Sequence, residues 1–306
     1  MSKFVEKRYW YFLISAIVII PGIISLAVFG LKLGIDFKSG TTMTLNFSPN
    51  VQENQLRQSI GDLGYKDASI QHTAEGDYFI RLREISTEER DKLIGGLETD
   101  MGSQVTVRDF ALVSATIAAA TVRAAIIAVI VAAVGILLYI SWAFRHVPRP
   151  FRWGTCAIIA LLHDILVVMG VFSILGWLAG VEVNALFITG MLTVAGYSVH
   201  DTIVVFDRIR ENMTKGISND FEVVVNHSIL QTFVRSLSTS LTVLFVLAAL
   251  FVLGGATIHY FVLVLLIGVI TGTYSSICNA SPLLLVWERG EWSRFYSWLP
   301  FARKSA

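Results

Sequence analysis

Six long apolar stretches punctuate the chain, at residues 11–31, 117–142, 153–178, 184–206, 232–253 and 260–287. Each is long enough for an α-helix to cross a bilayer, which takes about 20 residues. The first outlasts the apolar region of a secretion signal and has no A-x-A site behind it. It reads as a retained span rather than a cleaved leader.

Residues 33–115 follow a different rhythm. Positions 41–47 alternate, with Met43, Leu45 and Phe47 on one face, which predicts a strand. Asn50 and Glu53 have capping-box spacing ahead of Leu56, Ile60 and Leu63, and Ser86 and Glu89 have it ahead of Leu93 and Leu97. Short strands are expected at 68–71 and 78–82 around a Gly76-Asp77 turn, and a last one at 104–110. The order β-α-β-β-α-β is the split, ferredoxin-like arrangement. The expected fold is thus an α-helical polytopic membrane protein of six transmembrane helices, with a small α+β domain between spans one and two. Its parts are a start and first span (1–32), the α+β domain (33–115), a five-helix bundle (116–288) and a tail (289–306).

Composition agrees. Of 306 residues 54% are hydrophobic and 15% charged, with a mean hydropathy of +0.65, too greasy for a soluble globule or a disordered chain. Cys156 and Cys278 sit in apolar runs and suggest neither a disulfide nor a metal site. A net charge of +1 gives no field for nucleic acid. Basic residues gather at Lys3, Lys7 and Arg8, at Arg145, Arg149 and Arg152, at Arg208, Arg210 and Lys215, and at Arg289, Arg294, Arg303 and Lys304. The connections 179–183 and 254–259 have none, so both termini are expected on the cytoplasmic side and the α+β domain outside. That domain shows no nucleophile, metal cluster or phosphate loop, and His72 reads as a surface residue.

The candidate chemistry lies in the spans, where an ionisable residue is a functional hypothesis by default. Three stand out: Asp164, Asp201 and Arg235, with His163 and His200 preceding the acids. Asp201 lies about 7–8 Å and Arg235 about 4–5 Å inside the cytoplasmic boundary, close enough in depth to pair; Asp164 lies about 16 Å deep. Thr193, Tyr197 and Asp201 share a helix face, as do Arg235, Ser238, Thr239 and Thr242, so two polar stripes would form a wet path. Blander readings exist. Arg235 can snorkel to headgroups, and Asp201 can be a structural acid held by hydroxyls. His163-Asp164 reads equally as a second relay station or a buried hydrogen-bonded pair. Small residues repeat every fourth position at Gly268, Gly272, Ser276 and Ala280, and at Ala120, Ala124, Ala128 and Ala132, marking close helix contact.

The segment from Gly196 through Tyr197-Ser198-Val199-His200-Asp201 to Asp207-Arg208 and Asn212 closely resembles the signature of the SecF family, part of the SecD–SecF accessory complex of the Sec channel. Gly34-Ile35-Asp36-Phe37 and the run from Gln231 to Ser240 fit it too. The resemblance implies one half of a resistance-nodulation-division-type (RND) fold in the cell (inner) membrane, with SecD as the other half and an ion path between them. It implies a proton-motive-force-driven helper of preprotein translocation through the SecY-E-G channel, with other translocon accessory subunits as possible neighbours. No enzyme activity, metal or organic cofactor is implied; the coupling ion is H⁺, with Na⁺ as alternative. The family's membrane Asp and Arg fall on Asp201 and Arg235, and Gly34, Asp36 and Gly40 on the joint to the α+β domain. Two departures stand out: His200 replaces the usual Asn, and Lys38-Ser39-Gly40 replaces a residue followed by two glycines. Competing readings are half of an RND small-molecule exporter and a structural assembly factor without ion flux. An intramembrane protease is disfavoured, because no Gly-x-Ser-x-Gly or paired Gly-Asp pattern occurs.

Overall fold

The computed structural model describes residues 4–72 and 76–291. The basic positions Lys3, Arg294, Arg303 and Lys304 and most of the 289–306 tail lie outside them. Contacts divide the chain into two units, Met1–Lys32 with Ile127–Ala306, and Leu33–Ile126.

The smaller unit follows α1 (Arg8–Val28) and starts with α2 (Ile35–Lys38). It continues as β1 (Gly40–Ser48), α3 (Glu53–Asp62), β2 (Ser69–His72), β3 (Tyr78–Leu82), α4 (Thr87–Met101) and β4 (Gln104–Val113). All pairings are antiparallel in the order β2-β3-β1-β4, as the split arrangement requires. The alternation in β1 buries Met43, Leu45 and Phe47 against Leu56, Ile60, Leu93 and Leu97. Of the two capping boxes only Ser86/Glu89 forms, with both reciprocal bonds. Helix α3 begins at Glu53 with Gln52 as N-cap and no side-chain cap, so Asn50 lies two residues before the N-cap. Leu63 falls beyond the helix end.

The joint before β1 explains the unusual Lys38-Ser39-Gly40. Gly34 N-caps α2, Asp36 sits in its first turn, and the chain then turns sharply into β1. Ser39 has φ 61° and ψ 166°, a region nearly restricted to glycine. Gly40 has φ 134°, and a β-carbon there would lie 2.8 Å from the Leu82 carbonyl. Strain of about 1–3 kcal/mol at Ser39 exceeds the roughly 0.5–1 kcal/mol of chain entropy a glycine brings. Ser39→Gly should therefore raise the unfolding midpoint of the purified protein in denaturant titrations; a lowered midpoint would show that the serine is unstrained.

Among the described residues six helices are long and apolar enough to cross a membrane. They are α1, α5 (Ala115–Ala143), α6 (Pro150–Ala179), α7 (Ala185–Thr214), α8 (Phe221–Leu253) and a composite last span. The last is α9 (Ala256–Ser275), a π-helical turn (Ser276–Ala280) and α10 (Ser281–Arg289). Pro282 accounts for the interruption: it lacks an N–H and its ring crowds the carbonyl one turn back, so the ladder widens there. Ser281 Oγ donates to the Ser276 carbonyl at 3.2 Å, occupying an acceptor in the widened turn. Helices α1 and α6 touch backbone to backbone, since a β-carbon on Gly170 would come 2.6 Å from Cα of Gly22.

Several of the basic residues that set the expected orientation are paired. Arg8 is buried, bonded to Glu222 and to Glu291 at 2.7 Å, and Arg289 bonds Asp220 and Glu222. Asp220, just ahead of α8, is held below the usual carboxylate range by the Glu222 backbone amide first and Arg289 next.

Candidate functional site

Helices α6, α7, α8 and the last span surround two acids. Asp164 on α6 is 0% exposed. Its Oδ2 accepts from Ser198 Oγ on α7 at 2.5 Å and from Ser275 Oγ on α9 at 2.7 Å, and its Oδ1 lies 2.9 Å from His163 Nδ1. Asp201 on α7 is 7% exposed. Its Oδ1 accepts from Ser236 Oγ on α8 at 2.6 Å and its Oδ2 from Ser276 Oγ at 3.1 Å. Neither acid meets Lys or Arg among the described residues. Serine hydroxyls hold both, with the His163 ring also on Asp164.

Close packing of α7 and α9 sets this geometry. The helices run parallel and touch at Gly190–Val264, Val194–Gly268 and Ser198–Gly272. Each contact is one turn further along, so the next turn places Ser275 and Ser276 beside the two acids. The small-residue repeat on the last span is thus a packing seam within the chain. The alanine repeat on α5 is not: Ala120 and Ala124 are exposed, Ala128 and Ala132 half-buried.

The expected Asp201–Arg235 pair is not formed within the chain. Neighbouring helix residues point about 100° apart, and it is Ser236 that faces Asp201. Arg235 is exposed, as are Ser238, Thr239 and Thr242. The stripe of α8 that turns inward is Ser228, Thr232, Ser236 and Ser240. On α7, Tyr197 does reach across, donating to Ser240 Oγ at 3.0 Å, while Thr193 and His200 are exposed. The expected α7 stripe therefore turns inward at Tyr197 and Asp201 and outward at Thr193, whereas the expected α8 stripe faces outward at all four positions. Arg235 lines an open groove of about 340 Å³ with Asp207, Arg208, Glu211 and Thr232, and Thr232 is one turn before Ser236. Asp207 pairs with Arg210 at 2.5 Å and Arg208 with Glu211 at 2.7 Å. Gly196 is exposed, and a β-carbon there would meet nothing within 4 Å.

The sequence pattern assigns no chemistry to four serines of the site, 198, 236, 275 and 276; the signal it carries for them is Ser198 three residues before Asp201 and a Ser-Ser pair ahead of a proline. The count of three intramembrane charges also omits Arg123, exposed in α5. Among the described residues no group of three or more His, Cys, Asp or Glu could hold a metal.

Comparisons with known proteins place this arrangement. Residues 95–290 match the family described as protein export membrane protein SecD/SecF, C-terminal, and residues 24–51 match the SecD/SecF GG motif. The motif match covers the joint despite Ser39. The chain is 47% identical to protein translocase subunit SecF of Thermobaculum terrenum, covering 97% of both chains. It is 43% identical to the subunit of that name in Anaerolinea thermophila, again over 97% of both. A crystal structure of SecDF from Thermus thermophilus, described as a translocon-associated membrane protein, superposes with a TM-score of 0.81 at 32% identity. That match covers 94% of this chain and 38% of the solved one. The chain belongs to the SecF family of protein translocase subunits.

Proposed function

We propose that this chain is the SecF half of a SecD–SecF complex in the cell (inner) membrane, with both termini cytoplasmic. There it uses the proton-motive force to assist preproteins through the SecY-E-G channel. It acts as a coupling subunit, not an enzyme. The observation that carries the reading is a buried carboxylate backed by an outward polar surface. Among the described residues Asp201 is held by two serines, and beside it Thr193, Gly196 and His200 on α7 and Arg235, Ser238, Thr239 and Thr242 on α8 face out of the chain. Hydrocarbon does not tolerate such a surface, whereas a second helical bundle with a hydrated seam does. SecD is the partner of the right kind, since the solved SecDF chain is far longer than this one. In the assembled seam Arg235 faces the path and tunes the proton affinity of Asp201 when it approaches, since a nearby cation favours the charged carboxylate.

The test is export into inverted membrane vesicles carrying the complex, at fixed ATP, with and without an imposed proton gradient. The gradient should increase export, and a proton ionophore should remove the increase. Dependence on a sodium gradient would reassign the ion; indifference to both gradients would leave only a scaffold.

A further inference from the structure

The reading above uses Asp201 and leaves a better-enclosed acid without a role. Asp164 accepts three bonds, from Ser198, Ser275 and His163, and no part of it reaches solvent. A buried carboxylate needs a proton or a positive partner. His163 can supply either. Its side chain is 10% exposed and its Nδ1 is committed to Asp164. Its Nε2 is buried with no hydrogen-bond partner among the described residues. A histidine placed only for structure ordinarily has both nitrogens satisfied.

The surroundings are polar on the same side. The ring of Tyr274 stacks on His163 with centroids 6.2 Å apart, and its hydroxyl donates to the Tyr11 carbonyl at 2.7 Å. Ser15 on α1 bonds Asn279 Oδ1 at 3.0 Å, and Asn279 Nδ2 is another buried polar atom with no hydrogen-bond partner among the described residues. The titratable groups around the pair are Asp164 on α6, Tyr274 and, beside it, Cys278 on the last span, and Tyr11 on α1. From α7 comes Ser198, with Asp201 one turn further on.

We propose that His163 and Asp164 form a second proton station, entered at His163 Nε2 from the α1 side and linked to Asp201 by serines of α7 and the last span. This deepens, and rests on, the reading of Asp201 as the proton carrier. A proton taken from hydronium by Nε2 makes the imidazolium. Its Nδ1 proton then moves to Oδ1 of Asp164, leaving a neutral imidazole beside a neutral acid; the reverse step returns the proton. The pair can thus load while its net charge changes only at entry. The link is structural. Ser198 and Ser275 hold Asp164, and Ser276, next to Ser275, holds Asp201 at the head of the π-helical turn. Neutralising one acid relaxes its serine and shifts the turn that carries the other. Such turns recur at functional sites.

Nitrogen NMR of the ring-labelled complex in bilayers tests this. His163→Gln identifies the His163 signal among the six histidines. With the pH taken through about 5–8, the window in which an imidazole ordinarily exchanges its proton, the station requires that signal to respond. Asp164→Asn should lower its midpoint by about one to three pH units, the range an adjacent charge contributes. Asp201→Asn should move the midpoint too, by less. Ser275→Ala serves if Asp164→Asn does not fold; it removes a donor from the carboxylate and should raise the midpoint. A His163 signal flat across the range overturns the station, and a midpoint unmoved by Asp201→Asn overturns the link. Export separates the two readings: a flat His163 in a protein whose Asp201→Asn variant has lost gradient-driven export sinks this inference alone.

Discussion

Asp201→Asn is expected to remove the whole gradient-dependent part of export while leaving the complex assembled. The side chain keeps its shape and loses only the ability to exchange a proton. The structure shows why the fold should tolerate it. Asn Oδ1 can still accept from Ser236, where Asp201 now does at 2.6 Å. The new amide would face Ser276 Oγ, which already lies within reach of the Gly272 carbonyl and can turn its proton there. Burying a neutral amide in place of a carboxylate also saves part of the about 2.5–3.5 kcal/mol that an Asp costs in a span. The functional loss is large because each proton crossing yields about 2.3 kcal/mol per 100 mV, and without a titrating group none of it is captured. The assay is vesicle export with and without the gradient, beside co-purification of SecD. Full gradient response in Asp201→Asn would eliminate Asp201 as the carrier. Loss of response together with loss of SecD would instead mark it as an assembly residue.

The parts that were legible in the sequence are those where chemistry is rare against its background. Two acids in apolar runs declare themselves, and both are buried and hydrogen-bonded. The strand of alternating Met43, Leu45 and Phe47 does so for the same reason, because period two has one interpretation. Direction was harder. Helix α8 carries two polar series at helical spacing, one through Arg235 and one through Ser236, about 100° apart. Polarity alone favours the arginine face as the inward one; the fold turns the serines in, because hydroxyls can be satisfied by a carboxylate and by the helix's own carbonyls. Thus Ser240 donates to the Ser236 carbonyl at 2.9 Å. An arginine buried in this chain would have needed a carboxylate of its own.

The same limit applies to small residues. The repeats on α5 and on the last span look alike as letters, yet the second finds a neighbour that fills its gaps, Val194 and Ser198 of α7 against Gly268 and Gly272. The π-helical turn needed one further inference, that Pro282 distorts the preceding turn and not just its own. Without it, Ser275 and Ser276 read as spacers in a packing motif and not as ligands of two different acids.

That seam supplies the second large effect, on stability. A β-carbon on Gly268 would overlap the methyls of Val194, which is itself fully buried and stiff about χ1. One turn to either side the margins are 2.8 Å at Gly190 against Val264 and 3.0 Å at Gly272 against Ser198, so the helices cannot pivot away locally. Gly268→Ala should therefore cost about 1–3 kcal/mol as an overpacked core does, and Gly268→Leu should leave little folded protein. Trimming the other side restores the gap. Val194→Ala loses buried methyls when made alone, but in the Gly268→Ala background it should recover stability, with a coupling of about 1 kcal/mol or more between the two sites. Thermal unfolding of the four proteins in one detergent closes the cycle. Additive effects would mean that α7 and α9 pack more loosely than their glycines indicate. The coupled outcome carries a consequence for mechanism: the contact that admits no extra carbon holds Ser275 and Ser276 in register with Asp164 and Asp201. Gly268→Ala should then depress gradient-driven export further than its loss of stability alone accounts for, and Val194→Ala should restore both together.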